Sequence, residues 1–207
     1  MNVLAMNSGS SSLKFKVVEF DDSDAVAASR RPSIHYEGSV EEIGPTARLM
    51  LRRDEKTVVQ TTDTVSTHAE AVRYMLQMLK ESSLREGRPF HIDAVGHRVV
   101  HGGEHFREPV VIDDEVMAAI DRLADLAPLH NPGAIAGIEG ARAVMGADIP
   151  MVAVFDTAFH RSIPDRASTY AIDLDLARKH GIRRYGFHGI AHASLAGICA
   201  KAVNRPL

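Results

Sequence analysis

Asn7-Ser8-Gly9-Ser10-Ser11-Ser12-Leu13-Lys14 lies between two short apolar runs, Val3-Leu4-Ala5-Met6 and Phe15-Lys16-Val17-Val18. Both runs end in turn-forming residues, which predicts two strands with the polar stretch as their hairpin loop. Gly9 lets backbone approach a ligand closely and can take positive φ. Serine hydroxyls and backbone N–H groups can surround an anion as a nest. Strand geometry from Ser10 onward puts Ser10, Ser12 and Lys14 on one face, two hydroxyls and an ammonium suited to phosphate oxygens. Asn7 offers a neutral oxygen beside the same loop. A Walker A loop is excluded, since that motif needs a second glycine before its lysine and a helix after it. A polar turn without a ligand is the alternative, because serine favours turns in any case.

The chain has 207 residues, enough for one large domain or for one domain and part of another. A net charge of −3 gives no electrostatic surface for nucleic acid or membrane. The single cysteine, Cys199, rules out an internal disulfide and fits a reducing compartment. The first residues read as a strand rather than a leader, and no apolar run approaches the ~20 residues of a membrane span. A cytoplasmic location is expected.

Asp21 to Arg31 reads as an exposed polar connection, and Ile34 to Val40 as a third strand. Ala47–Leu51 and Thr57–Thr61 form a further hairpin around Asp54-Glu55. Thr67-His68-Ala69-Glu70 is a capping box, and the helix behind it carries Ala69, Val72, Leu76 and Leu79 on one stripe, ending before Gly87. Residues 92–100 form a strand. Asp113 or Asp114 starts a helix, and Asn131-Pro132 another, with Asn131 as cap. Met151 to Phe155 is an apolar run expected of a strand covered on both faces. Asp173 caps a short helix, and a last helix runs from about His192 to Val203. Strands followed by alternating helix and strand predict an α/β fold, a mixed sheet with helices on its faces.

Gly96-His97-Arg98-Val99-Val100-His101-Gly102-Gly103 leaves a strand for a Gly-rich turn. Arg98 and Val100 share a face, so a guanidinium fork beside an apolar side chain can hold a small carboxylic acid; a structural ion pair is the even alternative. His97 and His101 are too far apart along a strand, ~13 Å, to share a metal, and both are expected to be hydrogen-bonded structural residues. His130 precedes a helix N-terminus, a natural anion site. Asp156 follows the buried strand, and ligands of such sheets bind beyond strand carboxyl ends.

The N-terminal string resembles the signature of acetate kinases, carboxylate kinases of the superfamily that includes sugar kinases, actin and the Hsp70 ATPase domain. Gly96 to Gly103, Pro128 to Gly133, Phe155 to His160 and Arg184-Tyr185-Gly186-Phe187-His188-Gly189 match further family strings in the right order. Ile190-Ala191 departs from the small hydroxyl residues usual after the last. The resemblance implies a ribonuclease-H-like acceptor domain over 1–157 and the start of a nucleotide-binding domain over 158–207. The chain stops just before the Gly-rich segment that holds ATP phosphates in the family. By the resemblance, the family's adenosine-binding loops, second transition-state arginine, metal-binding glutamate and most of its dimer-forming domain are expected to have no counterpart within these 207 residues.

The implied reaction is reversible phosphoryl transfer from ATP to acetate, giving ADP and acetyl phosphate, with Mg²⁺ (or Mn²⁺) and with ATP as cosubstrate. Catalysis of this kind is mainly positioning and charge neutralisation. By the resemblance Arg98 orients the carboxylate, His188 stabilises the transferring phosphoryl group, and Val100 and Leu129 form the methyl pocket with His130 beside it. Lys14 faces the nucleotide phosphates with Ser10 and Ser12, and Asn7 places the metal. Asp156 matches the acidic catalytic residue. Acetate is already ionised at neutral pH, so Asp156 is expected to orient Mg²⁺ or its water. The full-length form is expected to be a homodimer with no nucleic-acid or membrane partner, and the isolated chain to be inactive. Propionate or another short-chain acid as substrate, and a noncatalytic anion-binding fragment, remain as alternatives.

Overall fold

The computed structural model describes residues 1–20 and 33–206. The connection expected at Asp21 to Arg31 lies outside the described residues. Eight strands form one mixed sheet in the order β5-β4-β3-β2-β1-β6-β8-β7. The first five are β1 (Asn2–Ser8), β2 (Ser12–Glu19), β3 (Ser33–Glu41), β4 (Gly44–Arg53) and β5 (Lys56–Val65), each antiparallel to the next. β6 (Ala94–Val99) lies parallel to β1, and β8 (Met151–Phe155) parallel to β6. β7 (Val110–Val111) is a short antiparallel edge on β8. The mixed α/β sheet expected from the sequence is what forms.

Alternation in the strands sets the faces. Leu4, Met6, Leu13, Phe15 and Val17 are buried, whereas Ala5, Lys14 and Lys16 are exposed. The buried face is covered by α1 (His68–Arg85) and α3 (Asn131–Met145), which also pack on each other; α2 (Asp114–Arg122) lies beside α3. α4 (Asp165–Ser168), α5 (Leu174–Lys179) and α6 (Gly189–Ala202) follow β8, so the last helix begins three residues earlier than the sequence suggests.

Local chemistry explains most boundaries. Asp54 and Glu55, both at positive φ, make the tight β4–β5 turn that suits the twist of paired strands. Thr67 Oγ1 accepts the Glu70 N–H at 3.1 Å, while the Glu70 carboxylate accepts the N–H of Ser66 rather than that of Thr67. The buried stripe of α1 is Ala71, Val72, Met75, Met78 and Leu79, turned from the expected one. Asp113 and Asp173 cap α2 and α5 through the N–H groups of Val116 and Leu176.

Two expectations are corrected. Asn131 does not cap α3; His130 occupies the cap position, and the fully buried Asn131 amide is drawn to the His101 backbone instead. His97 is buried, but its Nε2 has no hydrogen-bond partner among the described residues. His101 is hydrogen-bonded, accepting the Gly103 N–H at Nδ1 at 3.0 Å.

Burial, assisted by the Arg142 charge, pushes the His97 pKa down to about 4. An unfolded histidine titrates near ~6.5, so between those values only the unfolded chain takes up the proton, and stability falls as pH drops through the window. Urea unfolding at pH 7 and pH 4 should show the parent losing about 3 kcal/mol more than His97→Phe. Equal losses would show that His97 is not held neutral.

A methyl group on Gly133 would stand 2.6 Å from the Gly9 carbonyl carbon and 2.9 Å from Ser10 N, both backbone atoms that cannot swing aside. Gly133→Ala is therefore expected to destabilise by ~1–3 kcal/mol, read by the same unfolding assay. A change under a few tenths of that would mean the loop gives way freely.

Candidate active site

Parallel pairing builds the site. Met6 pairs with His97 and Val99 with Phe155, so Asn7, Arg98 and Asp156 meet at the carboxyl ends of three neighbouring strands, where α/β sheets bind ligands. The Asp156 N–H continues the ladder onto Val99 O at 3.0 Å. Arg98 donates from Nε at 3.1 Å and from Nη2 at 2.6 Å to Asp156 Oδ2, and from Nη1 at 3.4 Å to Asn7 Oδ1. Asp156 is 1% exposed, whereas the Arg98 side chain is one-third exposed at 33%. A guanidinium has five N–H donors. Asp156 and Asn7 engage three, which leaves one N–H each on Nη1 and Nη2 for a ligand. The ion pair expected as an alternative is present, and it leaves the outer edge of the fork free.

Lys14 continues the row, being the cross-strand partner of Asn7. Among the described residues it forms no ion pair, whereas Lys16, two positions on, pairs with Glu37 at 2.9 Å. Lys14, Asn7 and Arg98 line one cleft of about 630 Å³, whose other walls include Ala5, Gly96, Met50, Val154 and Ile190. Ile190, read as a departure from the family string, thus supplies apolar wall to this cleft.

Ser10 is exposed and Ser12, the first residue of β2, is half-buried. The loop closes through the Gly9 N–H onto Ser12 O at 2.8 Å, and Gly9 does not take positive φ. His188 is exposed, sits at φ 56° and occupies the N-cap position of α6 without a side-chain capping bond. The next residue ties it to the site, since Gly189 N–H donates to Asp156 O at 2.9 Å, and a Cβ there would stand 2.1 Å from that oxygen.

Val100, Leu129 and His130 do not line the cleft that holds Arg98. A second latch holds them near one another. Asn131 accepts the His101 N–H and donates to the His101 carbonyl, both at 3.1 Å. Leu129 and His130, both exposed, directly precede Asn131, and Val100, the residue after β6, directly precedes His101, so the latch brings the two segments side by side. Thr157 Oγ1 accepts the Gly102 N–H at 2.9 Å and locks the same turn to the residue after Asp156.

Several supporting residues escape a sequence reading. Asn131, Thr157 and His68, whose Nε2 donates to Gly9 O at 2.8 Å, act through partners 30 to 59 positions away. The signal that was available is the glycine spacing of α3, where Gly133, Gly137 and Gly140 leave no room for a side chain. Among the described residues no group of three or more His, Cys, Asp or Glu could hold a metal, and no helix is long and apolar enough to cross a membrane.

The sequence profile of the acetokinase family matches residues 2–207. The chain is 43% identical over 205 residues to the acetate kinase of Streptomyces avermitilis, covering 98% of this chain and 48% of that protein. The crystal structure of the Porphyromonas gingivalis acetate kinase superposes with a TM-score of 0.85 at 34% identity, over 99% of this chain and 49% of that one. That of a propionate kinase from Francisella tularensis gives 0.82 at 33% identity, with the same coverage. The chain spans about half the length of the curated relatives it matches. A profile match over almost every residue, with those relatives and that shared fold, places the chain in the acetokinase family.

Proposed function

We propose that these residues form the acceptor side of a short-chain carboxylate kinase, which moves a phosphoryl group reversibly between ATP and acetate. The observation that carries the reading is the Arg98 fork, fixed on its inner edge by Asp156 and open on its outer edge. Two parallel N–H donors match two carboxylate oxygens. The apolar wall of Ala5, Gly96 and Val154 suits a short alkyl group. Lys14, without an ion pair among the described residues, supplies charge for phosphate oxygens, and His188, outside the cleft lining but one residue from the Asp156 backbone bond, is assigned to the transferring group. Propionate is the second reading, favoured by the similarity to a solved propionate kinase; one methylene is worth only ~1–3 kcal/mol of discrimination.

Magnesium is held by one or two protein oxygens together with phosphate oxygens and water. Asn7 Oδ1 accepts one long bond, and Asp156 Oδ1 only one at 3.3 Å, so both have lone pairs to spare and fit such an ion. When bound with nucleotide, the ion would neutralise phosphate charge. Asp156 then has two tasks, holding Arg98 and offering oxygen to the metal. Neither requires it to take a proton from an acceptor that is already ionised near neutral pH.

Carboxylate binding is the property these residues can express by themselves. Titration of the 207-residue chain with ¹³C-labelled acetate, followed by NMR, should report binding that Arg98→Ala weakens by ~2–5 kcal/mol. Unchanged binding would remove Arg98 from the site. Propionate in parallel titrations ranks the two acceptors.

Asp156→Asn separates orientation from charge. The substitution makes the site more positive, so plain Coulomb attraction would tighten acetate binding. Loss of the charge-assisted bonds that orient the fork should instead weaken it by about 1.5–3 kcal/mol. Tighter binding in this variant would refute the orienting role.

A further inference from the structure

We propose that His68 is a positioning residue that fixes the Ser-rich β1–β2 loop in its phosphate-receiving form; the proposal rests on the nucleotide-side reading of Ser10, Ser12 and Lys14. His68 is the first residue of α1, 59 positions from the loop, and its half-buried ring reaches Gly9 O at 2.8 Å. A carbonyl only accepts, so Nε2 must carry the proton. The neutral Nε2–H tautomer and the imidazolium both donate there, so the bond does not depend on the charge of the ring.

The surrounding packing shows that the loop is clamped at named points. Gly133 of α3 meets the backbone of Gly9 and Ser10, and Gly137 meets the Ser8 side chain. Gly140 meets the backbone of His68 and Ala69, so α3 presses on the loop and on the residue that holds it. The Ile43 N–H donates to Ser11 O at 2.9 Å from the opposite side. With Gly9 O held by His68 and Gly9 N–H given to Ser12 O, one peptide on each side of Gly9 has a fixed direction. Ser10 follows directly, is exposed, and forms no hydrogen bond with the other described residues. Its N–H and hydroxyl therefore have no partner among the described residues, and the direction of the N–H, which belongs to the same peptide as Gly9 O, is set by the bond from His68. An anion site gains from donors aimed before the ligand arrives.

The test compares His68→Phe, which keeps a ring but loses the donor, with His68→Gln, whose amide N–H can reach the same carbonyl. Amide hydrogen exchange of Gly9 and Ile43 reads the clamp directly. Tripolyphosphate titration, followed at the amides of residues 10–14, reads its consequence, and acetate titration serves as control. The Phe variant should speed exchange at Gly9 and weaken tripolyphosphate by about tenfold, the worth of one such bond, with acetate affinity unchanged. The Gln variant should recover most of both. Parent-like exchange and tripolyphosphate affinity in the Phe variant would overturn the proposal, as would a Gln variant no better than Phe. An acetate affinity that falls equally would overturn it too, since the effect would then be general loosening. A parent chain that ignores tripolyphosphate would sink the phosphate reading of the loop itself, and the proposal with it.

Discussion

Asp156 is a carboxylate taken almost wholly out of water, and the structure around the cleft follows from how that charge is satisfied. A buried ion without a partner costs several kcal/mol, so a cation must stand beside it. Arg98 does so with two donors of its fork, and the pairing of β6 with β8 brings the two residues to the same end of the sheet. The pair is asymmetric, since Arg98 keeps one-third of its surface exposed. The aspartate thereby gains a partner and the arginine gains a direction, while two N–H donors still face outward.

A second constraint is the closeness of backbones. Gly133, Gly137 and Gly140 lie on one face of α3 and let it settle against the β1–β2 loop and the start of α1. Glycine inside a helix costs ~1 kcal/mol relative to alanine, so three of them need a compensating gain. That gain is contact, because α3 and α1 pack on each other and on the buried face of β1 and β2, where Leu4, Met6 and Leu13 lie. Gly189 acts likewise at the other wall, where its N–H bonds to Asp156 O at a distance that excludes a side chain. The loop, the arginine and the last helix are thus referenced to one another through main chain.

Much of this is legible in the sequence because its causes are local. Alternation in Leu13 to Val17 fixes β2, Thr67 and Glu70 fix the start of α1, and Asp113 and Asp173 cap their helices as their types suggest. The row of site residues is legible in part, since strand ends can be read one at a time. What cannot be read locally is which ends become neighbours. Asn131 has the composition of a cap, yet its amide is worth more bridging both backbone groups of a buried turn than sitting at a solvent-exposed helix end. Arg98 fits both a ligand and an ion-pair reading because it takes part in the pair with only one edge. His97 and His101 are both buried, but alternation points His97 into the core, where no described residue gives its Nε2 a hydrogen bond.

The two lysines of β2 show how little separates a binding cation from a structural one. Lys14 and Lys16 are two positions apart, share a face by parity and line the same cleft. Their difference comes from the neighbouring strand. Register places Glu37 opposite Lys16 and Ser39 opposite Lys14. The first lysine to meet a carboxylate is neutralised at 2.9 Å; the other has a short neutral partner on one side and Asn7 on the other. A slip of two residues in the β2–β3 register would exchange their roles, leaving Lys16 free and the Asn7 end of the cleft without an available ammonium. That register is pinned where Phe15 pairs with Gly38: a Cβ at position 38 would stand 2.5 Å from the Phe15 ring, and a slip of two would set Tyr36 or Val40 against that buried ring. The position of positive charge beside Arg98 is therefore a consequence of how the opposite, apolar face of the sheet packs.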